Sequence, residues 1–139
     1  MATLNKFQDY SEQLHRGTHQ WHAAGHTFKV YLSNTTPDAA LDAIKTDLAE
    51  IATGNGYPAG GTDIQNDITE TAGTTTCTAV DVVFTASGGT VGPFRYAVIY
   101  NDTAASDNLF GWYDYGSPIT LNDTETFTVD FGASLWTHS

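Results

Sequence analysis

A chain of 139 residues with 16 carboxylates against five lysines and arginines carries a formal charge of -11. So acidic an exterior repels phosphate backbones, which proteins hold mainly by letting Lys and Arg displace counterions, and nucleic acid is excluded as a partner. The length suits one domain, 1–139, with a core of its own, and a lone cysteine, Cys77, rules out a fold built on internal disulfides.

The charge is uneven. Residues 1–45 balance Lys6, Arg16, Lys29 and Lys45 against Asp9, Glu12, Asp38 and Asp42, whereas Arg95 is the only cation after Thr46. The neutral first third is therefore the better surface for meeting another acidic body. No stretch approaches the roughly 20 apolar residues that span a bilayer, and no basic segment leads into an apolar run at the start. The reading expects no membrane, no signal peptide and synthesis inside the cell.

Residues 3–24 have helical spacing. Leu4, Phe7, Leu14 and Trp21 recur in a heptad-like stripe with Tyr10 beside them, Gly17 weakens the middle, and Gly25 suits a C-cap. Residues 1–25 are thus expected to form a helical segment, docked on the body or extended as an arm. His15, His19, His22 and His26 follow one another at steps of four, three and four. On an unbroken helix His15, His19 and His22 would share a face and could hold Zn²⁺ or Ni²⁺. Without a Cys or carboxylate to complete the site, a polar His-rich face is the plainer expectation, and no metal or other cofactor is assigned.

Residues 26–33 alternate as a strand with Phe28, Val30 and Leu32 on one face. Thr36 and Pro37 then read as N-cap and first helical residue, and Leu41, Ile44, Leu48 and Ile51 recur at helical spacing. The pattern predicts an amphipathic helix over 37–52. The Gly-rich run 53–61 lacks the Gly-Lys-Ser/Thr ending of a phosphate loop, so it is a turn or an adaptable contact surface. Residues 62–78, rich in Thr, suit an edge strand or an excursion. Strands are expected at 79–84, 94–100, 109–115 and 126–131. The run 94–100 is apolar on both faces, as in a strand covered on both sides. Arg95 then needs a partner, Asp81 or Asp114, because a buried unpaired guanidinium costs several kcal/mol.

No Gly-X-Ser-X-Gly elbow, EF-hand loop or dinucleotide fingerprint occurs, so no catalytic residue is assigned and an enzyme is the least favoured class. Trp112, Tyr113 and Tyr115 around Asp114 could stack on sugar rings, making a carbohydrate-binding module one alternative. Their plainer use is filling a core.

Four blocks resemble a family of small structural proteins of tailed bacteriophages. They are Phe28-Lys-Val-Tyr-Leu-Ser-Asn-Thr-Thr-Pro, Glu50-Ile-Ala-Thr-Gly-Asn-Gly-Tyr-Pro-Ala-Gly-Gly, Gly92-Pro-Phe-Arg-Tyr-Ala-Val-Ile-Tyr-Asn-Asp-Thr and the long block from Gly111-Trp-Tyr-Asp-Tyr-Gly to Val129-Asp-Phe. The resemblance spans most of the chain, with the His-rich run 14–26 departing from it. It implies a mainly β, antiparallel, jelly-roll-like β-sandwich at 26–139, carrying the N-terminal helix and one inserted helix. It also implies a capsid cement, or decoration, protein of the virion, bound to the major capsid protein and to itself as a homo-dimer or homo-trimer. A tail or fibre adaptor is the alternative within the virion. Phe7, Tyr10, Leu14, Trp21, Tyr57 and Trp136 are the expected capsid or subunit contacts.

Overall fold

The computed structural model describes residues 2–139. The chain is mainly β, with antiparallel pairing throughout the described residues. In order it runs β1 (Leu4–Lys6), α1 (Asp9–His15), β2 (Phe28–Ser33), β3 (Thr62–Asp63), β4 (Asp67–Thr71), β5 (Thr74–Thr78), β6 (Val82–Thr85), β7 (Val91–Asn101), β8 (Leu109–Leu121), β9 (Thr126–Val129) and β10 (Trp136–His138). A five-stranded sheet has the order β1-β8-β7-β2-β3; β10-β5-β4 and β6-β9 make two smaller ones.

The central sheet is built on β2 and β7, whose residues pair from Phe28 with Asn101 to Ser33 with Tyr96. Side chains alternate across the pleat. Phe28, Val30, Leu32, Ala97 and Ile99 therefore enter one cluster, together with Cys77, Val82, Phe84 and Val129 from the smaller sheets and Phe131 just beyond β9. Tyr31, Tyr96, Val98 and Tyr100 enter a second cluster on the other face, closed by Phe7 and Leu48. This double cover explains why 94–100 reads as apolar on both sides.

Two expected helices are corrected. The N-terminal helix spans only Asp9–His15, preceded by β1, because Gly17 sits at φ +83° and turns the chain away. The helix expected over 37–52 does not form; a single 3-10 turn, Lys45–Asp47, is its only helical part. The Asp38 carboxylate accepts the N–H groups of Ala40 and Leu41, and Asp47 accepts those of Ala43 and Ile44. These side chains capture the donors a helix would have used. Ile44 is extended and bridges to Asn108, while Leu41 is left 79 % exposed.

The irregular run between β2 and β3 wraps the sheet, placing Leu48 on the second face and Tyr57 in the first cluster, and is tied down by Glu50. Its carboxylate lies 2.9 Å from Lys45 Nζ and accepts from the Tyr57 hydroxyl at 3.0 Å and the Gly60 N–H at 2.8 Å. Gly61 follows at φ +77°, so close to β2 that a Cβ would land on the Val30 carbonyl oxygen. Only glycine lets the loop approach so closely. Among the described residues no helix is long and apolar enough to cross a membrane.

Candidate functional site

Beyond Phe7, which closes the second face, the N-terminal segment lies on the strand-covered side. Trp21 stacks on Phe28 with ring centroids 3.5 Å apart, and its indole N–H donates to the Tyr10 hydroxyl at 3.0 Å. Burial pushes the Tyr10 phenol up to about 12, so it stays neutral and serves as an acceptor. Beyond Tyr10 the free edges of β1 and β10 stand on either side of a groove of about 320 Å³. Tyr10, Phe110, Leu14 and Trp136 supply its apolar lining, and the exposed Lys6, His15 and His138 its rim. The shielded indole N–H of Trp136 has no acceptor among the described residues.

Of the six expected contact residues, Tyr10, Leu14 and Trp136 meet at this groove. Phe7, Trp21 and Tyr57 do not. Each is buried, Phe7 against Trp112 with centroids 4.6 Å apart and Tyr57 against Phe84 at 5.5 Å. Their rings are committed to the chain's own interior.

The three rings weighed as a sugar platform are split by the pleat. Tyr113 is buried on the strand-covered side, Tyr115 packs edge-on against Phe127, and Trp112 packs on the opposite face. They share no surface on which one sugar could stack. Between them Asp114 forms the expected pair with Arg95 through two hydrogen bonds of 2.8 and 3.1 Å. The pair lies at the surface, not in the core as the apolar surroundings of Arg95 suggest, since Arg95 points outward over the Tyr96 ring. Asp81, the other candidate, instead accepts the Phe131 N–H. The Arg95 hydrogen bonds hold the Asp114 carboxyl below the usual carboxylate range.

The histidines do not share a helix face, since the helix stops at His15. His19 is only 6 % exposed, and burial lowers its pKa to about 4. Its Nδ1 and that of His26 both face the Asn101 side-chain nitrogen, at 3.1 and 2.9 Å. The same amide nitrogen also donates to the Thr18 carbonyl at 3.2 Å, so its two hydrogens are shared among three neighbours. No trio of His, Cys, Asp or Glu among the described residues is placed to hold a metal ion.

A second, polar cleft lies beside Asn66 and is lined by Asp63 and Asp67. Both carboxylates already accept backbone N–H groups, Asp67 from Ala23 and Ile68 and Asp63 from Gln65, so they act as loop staples. Across this surface, acids are spent on closing turns.

Family models, curated proteins and solved structures give no match to this chain. Function therefore rests on the residues and on what their arrangement can do. Sequence spacing could not have found the groove, because its walls come from both ends of the chain, with Thr75 and Phe110 between them, and meet only in the folded structure.

Proposed function

We propose that this chain is a non-enzymatic structural protein of a bacteriophage virion, a decoration protein seated on the outer face of the capsid lattice. The observation that carries the reading is where the resembling blocks fall. They coincide with β2, the Glu50 loop, β7, β8 and β9, which are the parts that build the body rather than any reactive cluster. Packing of the smaller sheets on one face of the five-stranded sheet is read here as a jelly-roll-like sandwich.

Turns closed by their own carboxylates suit such a role. They present a rigid acidic surface that loses little conformational freedom on docking. Many equivalent junctions on a lattice multiply a modest affinity per contact. The major capsid protein is the proposed partner, with self-association beside it.

The test is the copy number of this chain against the major capsid protein in purified particles. Tens to hundreds of copies support decoration. About a dozen or fewer turn the reading to a tail or fibre adaptor, and absence from particles overturns both.

A further inference from the structure

One apolar side chain is held out in water by design of its turn. Leu41 is 79 % exposed, yet the turn beneath it is fixed: Asp38 accepts the N–H groups of Ala40 and Leu41 at 2.9 and 3.1 Å, and the Asp38 N–H donates to Asp42 at 2.7 Å. The result is a leucine knob flanked by two carboxylates. The groove between β1 and β10 has the opposite character, an apolar lining with no carboxylate and a rim bearing Lys6. Among the described residues the other four Lys and Arg side chains all lie in ion pairs, and Lys6 does not. In a chain of charge -11 an exposed Lys outside any ion pair marks this rim as a place that favours an acidic knob.

We infer that the groove receives the Leu41 turn of a second copy of this chain, Leu41 against Leu14 and Tyr10, with Asp38 and Asp42 facing the partner's Lys6. Knob and socket hang on the same segment of the fold, since the Gln8 N–H that follows β1 donates to the Ala39 carbonyl at 2.8 Å. The contact does not depend on the virion role. It is a property of the purified chain, whereas copy number on particles decides the other reading, so the two fail separately.

The experiment is sedimentation equilibrium of the purified chain across concentrations, beside Leu41→Asp, which removes the knob, and Leu14→Glu, which charges the socket. Both positions are solvent-exposed, and circular dichroism with thermal unfolding checks that each variant is folded. Wild type is expected to self-associate, with each variant weakening the contact by roughly 10- to 100-fold, the effect of losing one buried leucine. Added salt should weaken the wild-type contact as it screens Lys6. Mixing the two variants is expected to restore a dimer, because one still has its knob and the other its socket. A wild type monomeric to about 1 mM overturns the inference. So does either folded variant associating as wild type does, or a mixture that stays monomeric.

Discussion

The two faces of the five-stranded sheet are lined by alternate residues of the same strands, yet they are built differently. Where strands cover it, the face is nearly all hydrocarbon: Phe28, Val30, Leu32, Ala97 and Ile99 meet Phe84, Val129 and Phe131. Where Lys45, Leu48 and Gly60 of the irregular run cover it, tyrosines predominate, and the hydroxyls of Tyr31 and Tyr100 reach the covering backbone. Tyr31 donates to the Lys45 carbonyl and Tyr100 to the Gly60 carbonyl, while Ser33 donates to Ala49. The reason is backbone accounting. A covering sheet satisfies its own N–H and C=O groups, whereas a covering loop leaves them to be met by side chains. Even the ammonium of Lys45 is accommodated, beside Glu50 and 4.9 Å from the centre of the Tyr31 ring.

That contrast can be broken from either side. Phe28→Ala, on the strand-covered face, is expected to cost about 3–5 kcal/mol by denaturant unfolding, since it also removes the platform for Trp21. A loss under about 1 kcal/mol would show that this face is not the main source of stability.

His19 is the polar exception beside that same face, 5.7 Å from the Phe28 ring. Its folded pKa of about 4 lies below the unfolded value near 6.5, so between them the unfolded chain binds a proton the folded chain refuses. The neutral His19 is thus expected to cost nothing above pH 6.5 and to lower stability by up to about 3 kcal/mol as pH falls to 4 and below. Unfolding curves of wild type and His19→Phe over pH 4–7.5 check this, and the variant should show the shallower slope.

On the loop-covered face, Glu50→Ala removes the acceptor shared by Lys45, Tyr57 and Gly60. The expected cost is about 2–3 kcal/mol, with hydrogen exchange accelerated in 45–61 more than in β7. Uniform acceleration would mean that the loop and sheet open together. The smallest effect is expected at the surface. Arg95→Ala should leave the melting temperature close to wild type, because exposed ion pairs contribute little.

The same contrast explains what was legible in the sequence. β2, β6, β7, β8 and β9 announce themselves because a strand packed between layers must alternate or run apolar, and 126–129 and 94–100 do so. The run 37–52 misleads for a physical reason. Leu41, Ile44, Leu48 and Ile51 are spaced as a helix needs, but Asp38 and Asp47 compete for the backbone donors, and spacing does not register that competition. The Thr-rich run suits an edge strand or an excursion, and β4 is an edge, but β5 lies inside its sheet with Cys77 fully buried. Charge alone leaves Asp81 and Asp114 as partners for Arg95 and says nothing of depth; the structure pairs it with Asp114 at the surface. Three of the six contact residues gathered at one groove, and the other three were spent on the interior because large aromatics mark a core as readily as a surface.

Cys77 is the only thiol in the chain, sits wholly inside the strand-covered cluster, and has its thiol pushed up to about 12 by that burial. Every molecule thus carries one silent reporter at its centre. An alkylating reagent finds nothing to modify until the layers part, and one adduct per chain then timestamps that opening by mass.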